Sequence, residues 1–193
     1  MKSIDLAKDL YTATRKVKEV AAGAGTFLAV EAAGEPGGEA FQNAIMALYS
    51  TAYTMKFALK EQGTLDFMVG KLECLYLAGP FCKPKSPWRW RLMVRIPDEV
   101  TTKDVTGTKK VLRKKKGLDN SAVKRLRWKE GRALQVMHVG PYDEVGATYE
   151  QLGVYAAEHG LKVVGPAHEI YLSDPRRVAP EKLKTIVRLG VKK

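Results

Sequence analysis

The feature that most constrains the fold of this 193-residue chain is one order of elements that occurs twice. Each occurrence consists of a strand-like run, a glycine- or proline-containing turn, a helical pattern and two further strand-like runs. The first occupies residues 26–33, 34–38, 39–62, 67–77 and 88–96, and the second 133–139, 140–141, 143–159, 167–172 and 183–189. We therefore predict an α+β fold of two similar β-α-β-β halves, with antiparallel sheets, helices on one side and a central ligand cleft.

Apolar residues that recur every three or four positions define the two predicted helices. In the first helix these are Phe41, Ile45, Leu48, Ala52 and Met55, and in the second Val145, Tyr149, Leu152 and Ala156. Gly63 and Gly160 follow the last periodic residues, where glycine commonly ends a helix.

We interpret residues 1–193 as a single domain. Its first half covers about 21–100, a linker covers 101–129, and the second half covers about 130–193. A short helix is expected around 102–116 in the linker, and a helix followed by a basic extension at 1–20.

Positive charge is concentrated in the linker. The net charge is +12, and the run from Lys109 to Lys116 (KKVLRKKK) has six basic residues in eight positions. More basic residues follow at Lys124, Arg125, Arg127 and Lys129. Two interpretations stay open: a solvated helix face, or a weak contact with nucleic acid or another polyanion.

Several function classes are disfavoured by what the sequence lacks. It has no apolar run of the ~20 residues needed to span a bilayer and no signal-peptide pattern, so we expect a cytoplasmic protein without membrane contact. The two cysteines, Cys74 and Cys82, fit a reducing compartment. The three histidines lack metal-ligand spacing, and no serine-hydrolase elbow or phosphate-cradling loop is present. We expect neither a metal nor a cofactor.

Two glutamates stand out in the second strand of each half. Side chains alternate across a strand. If the apolar residues next to Glu169 pack on a helix, then Glu169 and Tyr171 point the other way, and Glu73 occupies the corresponding face of the first half. Two opposed sheets would then place both carboxylates in one groove, an arrangement suited to a bound cation or to acid–base chemistry. The alternative is that each glutamate is a surface residue or pairs with a strand arginine, for which Arg91, Arg95 and Arg188 are candidates.

Aromatic residues offer a wall for such a groove. Trp88 and Trp90 alternate with arginines, so both indoles lie on one face of the third strand. Together with Tyr76 they would suit a flat apolar or cationic ligand, although packing in the core or at a sheet edge is an equal alternative for the tryptophans. Tyr142 and His138, beside the Gly140-Pro141 turn, complete the ligand-binding candidates.

The sequence resembles the stand-alone branch of the GyrI-like small-molecule-binding domain family. The segments that carry the resemblance are EGRALQVMHVGPY at 130–142, HEIYLSDPRR at 168–177, APEKLKTIVR at 179–188, FQNAIMALYSTAYTMK at 41–56 and SPWRWRLMVRIP at 86–97. The resemblance implies a duplicated SHS2-type module with a ligand cleft between its halves. It also implies that the glutamate of the Glu-x-Tyr segment, here Glu169 beside Tyr171, binds cationic aromatic ligands.

Three functions follow from this resemblance as expectations. The first is binding of hydrophobic, aromatic or cationic small molecules, including drugs and other xenobiotics. The second is hydrolysis of cyclopropane-type DNA-alkylating compounds, in which Glu169, alone or coupled to Glu73, activates water while Tyr171 orients it. The third is a protein-interaction role such as gyrase modulation.

Overall fold

The computed structural model describes residues 3–5, 11–79 and 87–193. Its strands and helices follow in chain order: β1 (Lys18–Ala33), α1 (Glu39–Glu61), β2 (Leu72–Ala78), β3 (Arg89–Ile96), α2 (Thr102–Lys116), β4 (Lys124–Val139), α3 (Val145–Glu158), β5 (Lys162–Tyr171) and β6 (Lys184–Lys192). Short 3-10 turns precede α3 and β6, at Tyr142–Glu144 and Pro180–Lys182. None of the helices in these residues is long and apolar enough to span a membrane.

The strands form one closed antiparallel barrel in the order β1-β3-β2-β5-β6-β4, with β4 pairing back to β1. The predicted order strand, helix, strand, strand is present in β1–β3 and again in β4–β6. Two separate, opposed sheets were expected, and that part of the prediction is wrong. The barrel closes because β1 and β4 form a ladder from Lys18 opposite Gln135 to Ala29 opposite Lys124. That the two halves are duplicates stays a prediction.

The strands β1 and β4 are each 16 residues long and extend well beyond their predicted ranges. The added part of β1 is mostly small residues, whereas that of β4 alternates Leu126 and Trp128 with basic residues, a period-two strand pattern that the prediction assigned to the linker. Residues 18–20 are accordingly strand rather than the basic extension expected there. Ile4 forms a bridge with Phe67, while positions 1–2 and 6–10 of the predicted first helix, and Cys82, lie outside the described residues.

The helices cover the outside of the barrel. α1 lies over β1 and β3 and buries Phe41, Leu48 and Met55 against the outward side chains of those strands. α3 lies over β4, β5 and β6, with Leu152 and Ala156 at its contact. Both helices end close to the predicted residues, and the positive φ of Gly63 and Gly160 confirms the predicted stops.

The linker helix α2 has the predicted bounds, Thr102–Lys116. Its start is fixed by a capping box between Thr101 and Asp104, and its end by Gly117 in the left-handed conformation. It packs along α1 and β4.

Replacing a core residue of α1 tests this packing. Leu48 is completely buried, so L48A should leave a cavity and lower the free energy of unfolding by about 2–5 kcal/mol. Met46 lies on the same helix but is 62% exposed, so M46A should change the free energy by no more than about 0.5 kcal/mol. Urea unfolding followed by circular dichroism measures both, and equal effects of the two changes would contradict the packing of α1.

Candidate functional site

The site is organised by the seam between β2 and β5. In this ladder Cys74 lies opposite Glu169, and Glu73 lies opposite Ile170. Directly opposed residues share a face of the sheet, so Glu73 and Glu169 are on opposite faces of the barrel wall. The prediction that the two glutamates share one groove is therefore wrong.

The error came from assigning the apolar set of β5 to the helix side. The outward face of the seam carries Cys74, Tyr76, Ala167, Glu169 and Tyr171, which lie among residues packed with α1 and α3. The inward face carries Glu73, Leu75, His168 and Ile170. Both faces are buried, so hydrophobicity alone does not identify the helix side.

The Glu169 carboxylate is held by three tyrosines on the outward face. The hydroxyls of Tyr171 and Tyr149 each donate a hydrogen bond of 2.8 Å, to Oε2 and Oε1 respectively. The Tyr76 hydroxyl lies 3.4 Å from Oε2 and 3.0 Å from the Tyr171 hydroxyl. Since Glu169 is 4% exposed, these phenols replace the water that would otherwise solvate its charge.

Burial dominates the electrostatics of Glu169, and the ring of His138 is near enough to lower its pKa by a smaller amount. No lysine, arginine or histidine of the described residues forms an ion pair with its carboxylate. Burial raises the pKa of Glu169 above its usual value, while the phenol hydrogen bonds act in the opposite direction. Burial, followed by the charge of Glu169, also raises the pKa values of Tyr76, Tyr149 and Tyr171, so all three remain neutral donors.

Two more aromatic rings extend this site toward the surface. The ring of Tyr142, which is 37% exposed, lies edge-on against Tyr171 at 5.4 Å. The indole of Trp88 is tilted against the Tyr76 ring at 5.6 Å. We call the carboxylate and these five rings, from Tyr76, Trp88, Tyr142, Tyr149 and Tyr171, the Glu169 site.

Two predicted ligand-binding residues have other surroundings. Trp90 is fully buried under α1, where its ring meets Phe41 edge-on at 4.9 Å and its Nε1 donates to the Gly34 carbonyl oxygen. Of its alternatives, core packing is therefore the correct one. His138 is held between the Thr148 hydroxyl and the Pro141 carbonyl oxygen. Because the Pro141 carbonyl oxygen can only accept a hydrogen bond, Nε2 of His138 carries the proton. The His138 ring thereby fixes the turn that leads to Tyr142.

Sequence reasoning missed Tyr149 and Cys74 as members of this environment. Tyr149 was assigned to the apolar stripe of α3, but a phenol on such a stripe needs a hydrogen-bond partner when buried, and that need was the available signal. Cys74 is a free, buried thiol directly across the ladder from Glu169. Burial, together with the nearby Glu169 charge, raises its pKa, so it stays a thiol.

A second polar cluster lies inside the barrel and contains Glu73. His168 is bound on both sides, with Nε2 3.0 Å from Glu73 and Nδ1 3.0 Å from Glu130. Arg188 bonds the other oxygen of Glu130 at 3.1 Å and Gln135 at 2.8 Å. We call these residues the inner cluster; they join β2, β4, β5 and β6. The Tyr11 hydroxyl adds a bond of 2.7 Å to Glu73.

The inner cluster is balanced in charge, unlike the Glu169 site. Each ring nitrogen of His168 faces a carboxylate, which accepts a hydrogen bond when it is ionised. Both nitrogens therefore carry protons, and His168 is a cation. Burial by itself would lower the pKa of His168, but Glu130 and Glu73 raise it to about 9. The cavity beside the cluster is about 20 Å³, room for about one water molecule. Glu73 therefore belongs to a filled, paired core and not to an open groove.

Neither site has the donors of a metal centre. The described residues contain no group of three or more histidine, cysteine, aspartate or glutamate side chains placed to hold a metal ion. The donor set of the Glu169 site, one carboxylate and three phenols, instead suits an organic ligand.

Comparisons with known proteins identify the family of the chain. The family model described as the GyrI-like small molecule binding domain matches residues 15–192. The chain belongs to this family. As a GyrI-like domain, it is a small-molecule-binding domain, and its match extends over both sets of strands. A search of curated proteins found no match.

Solved structures from Listeria innocua are similar along the whole GyrI-like chain. One described as a hydrolase is 37% identical, with a TM-score of 0.88, and the match covers 98% of this chain and 100% of that chain. One described as an uncharacterized conserved protein is 39% identical, with a TM-score of 0.91 and the same coverage. The EcmrR C-terminal domain is 14% identical, with a TM-score of 0.58 over 92% of this chain and 96% of that chain, and shows the fold alone.

The charge of His168 can be tested through stability. Its folded pKa of about 9 exceeds its unfolded value of about 6.5, so the stabilisation is fully present below pH ~6.5 and is lost as the pH rises through about 9. We expect H168Q to lower the free energy of unfolding by about 3 kcal/mol at neutral pH, and this difference from the unmodified protein should shrink toward pH ~10.

Thermal unfolding at several pH values measures this difference. H159Q, at an exposed histidine directly after α3, is the matched control and should show no such pH dependence. A difference for H168Q that is the same at neutral and alkaline pH would mean that His168 is neutral in the fold.

Proposed function

We propose that this GyrI-like domain binds flat, hydrophobic cations over the Glu169 site. The observation that carries the proposal is a buried carboxylate that has phenol donors but forms no ion pair with a basic side chain of the described residues. A buried anion of this kind is costly in free energy. A ligand cation that approaches it supplies the missing counter-charge, whereas a neutral ligand of the same shape does not.

The surrounding rings fit the rest of such a ligand. Tyr142 and Trp88 stand at the two sides of the site, against Tyr171 and Tyr76 respectively. Aromatic faces attract both flat apolar groups and cations, the latter by about 0.5–2 kcal/mol for each ring. Tyr149 on α3 and Tyr76 on β2 approach the carboxylate from different elements, so a ligand seated here would contact both halves of the barrel.

In this proposal Glu169 supplies the charge and the phenols hold it in place. Tyr142 and Trp88 contact the ligand, and His138 positions the turn that carries Tyr142. Trp90 and Glu73 have no contact with the ligand, because the first lies under α1 and the second inside the barrel.

A pair of ligands that differ in charge alone tests the role of Glu169. We expect the protein to bind the aromatic cation N-methylquinolinium more tightly than methylnaphthalene, its neutral isostere. E169Q should weaken binding of the cation roughly tenfold or more, since a bond to a charged group contributes about 1.5–3 kcal/mol. The same change should leave affinity for the neutral isostere nearly unaltered. Isothermal titration calorimetry measures all four affinities.

E150Q is the matched control, because Glu150 neighbours Tyr149 on α3 but is exposed. It removes the same charge and should leave both affinities unaltered. Affinity for the cation should also rise with pH through the raised pKa of Glu169, since the ionised form alone attracts it. Equal loss of cation affinity in E150Q and E169Q would show a general charge effect and refute the proposal.

A second candidate function is hydrolysis of an electrophilic small-ring compound at the same site. It is favoured by the Listeria innocua structure that is described as a hydrolase and matches nearly all of this chain at 37% identity. Glu169 would take a proton from a water molecule while the water oxygen attacks a strained ring carbon. The electron pair of the broken ring bond would move to the electron-withdrawing group that activates the ring, where a Tyr171 or Tyr76 hydroxyl can donate a hydrogen bond. A raised pKa suits Glu169 to this task, because it makes the carboxylate a better base.

The hydrolysis can be tested with a cyclopropane-containing DNA-alkylating compound. We expect the compound to gain the mass of one water molecule, with the oxygen coming from isotopically labelled solvent water. E169Q should lower the rate at least 100-fold, the usual contribution of a general base being about 100- to 10,000-fold, while E150Q should not change it. Mass spectrometry follows the product. If the rate with protein equals the rate without it, the protein does not hydrolyse this compound and the second candidate function is refuted.

A further inference from the structure

The linker between the two sets of strands carries most of the net positive charge of the protein. Residues 101–129 contain eleven basic and two acidic residues, a net charge of +9 out of a total of +12. The Glu169 site makes no use of this segment, which forms α2 and the start of β4.

The basic residues of α2 are displayed outward by the packing of the helix. Val105, Thr108 and Leu112 form its buried side. At 100° per residue, Lys103, Lys110 and Lys114 lie on the opposite side, and Arg113 lies beside them. All four are exposed. We call Lys103, Lys110, Arg113 and Lys114 the basic face.

The charge of the basic face is not neutralised within the described residues. None of its four side chains forms an ion pair there. The two acids of the linker have other roles, since Asp104 caps the start of α2 and Asp119 accepts the backbone N–H of Ser121. Lys109 is used to fix the helix in place, because its amine donates to the carbonyl oxygens of Ser121 and Val123. The basic face is therefore a row of exposed cations that form no ion pair within the described residues, although Arg113 is near enough to Asp119 to lower the pKa of that carboxyl.

We propose that the basic face binds the phosphate backbone of double-stranded DNA without regard to sequence. The cations from Lys103 to Lys114 extend over about 16 Å of helix axis, which corresponds to about five base pairs of a duplex. The helix α2 contains no aromatic residue on which an unpaired base could stack, so a single strand is the weaker partner. An anionic membrane is also disfavoured, because the apolar side of α2 is buried and unavailable for insertion.

A matched pair of charge variants tests this surface. K103Q/K110Q/K114Q removes three cations from the basic face. K162Q/K182Q/K192Q removes three exposed cations from β5, β6 and the turn before β6, and so has the same net charge. Binding to a fluorescein-labelled DNA duplex is measured by fluorescence anisotropy in salt from about 50 to 200 mM. Thermal unfolding and N-methylquinolinium binding check that both variants keep their fold and the Glu169 site.

We expect the unmodified protein to bind the duplex, with the logarithm of the affinity falling linearly against the logarithm of salt concentration. The basic-face variant should lose at least tenfold in affinity at low salt, and its slope should become shallower by about 0.9 for each lost phosphate contact. The control variant should lose less than threefold. No binding by the unmodified protein, or an equal loss in both variants, would refute the proposal. Tighter binding to phosphatidylserine-containing vesicles than to the duplex at the same salt would identify a membrane surface and refute it as well.

Discussion

A barrel wall that is covered by helices is buried on both of its faces, and the chemistry of this protein depends on that constraint. Neighbouring residues of β2 and β5 project to opposite faces, so one step along the chain separates Glu73 from Cys74 and His168 from Glu169. Each pair therefore has one member inside the barrel and one under the helices. Two clusters of buried polar groups therefore form on opposite faces of the barrel wall.

The two clusters satisfy buried carboxylates in different ways. Inside the barrel, Glu73 and Glu130 have His168 and Arg188 as counter-charges, and the result is a filled core that ties strands together. Breaking such a pair by removing one partner is strongly destabilising, since the other charge stays buried. Under the helices, Glu169 has phenol donors and forms no ion pair among the described residues. The first arrangement is complete in itself, whereas in the proposed function the second gains its counter-charge from a bound ligand.

Local sequence patterns predicted the helices, whose own residues show apolar periodicity and end signals. The bounds of α1 and α3 follow from apolar periodicity and glycine stops, which act within a few residues of the chain. The predicted bounds of α2 are confirmed, and the structure adds the capping box and the Gly117 stop that fix them. The strands β1 and β4 were predicted too short, because the added part of β1 has small residues without a strand pattern and the alternation in the added part of β4 was assigned to the linker. No local pattern could show a pairing partner that lies more than 100 residues away.

The candidate site was predicted in part for a related reason. Glu169 and Tyr171 come from one strand segment, HEIY, and could be recognised from it. Tyr76 was expected in the groove, but Tyr149 joins the same site from a helix, and the sequence does not show that these residues meet.

By itself the sequence determined the order of the elements, the family and the Glu-x-Tyr segment, since each of these depends on residues that are close together along the chain. The tertiary structure alone decided which face each glutamate occupies and which charges are paired. The alternation of side chains along a strand assigns residues to two faces, but it does not show which face contacts the helices when both faces are buried. Closure of the barrel settled that choice by placing Glu73 beside His168 in the interior and Glu169 among three phenols outside it.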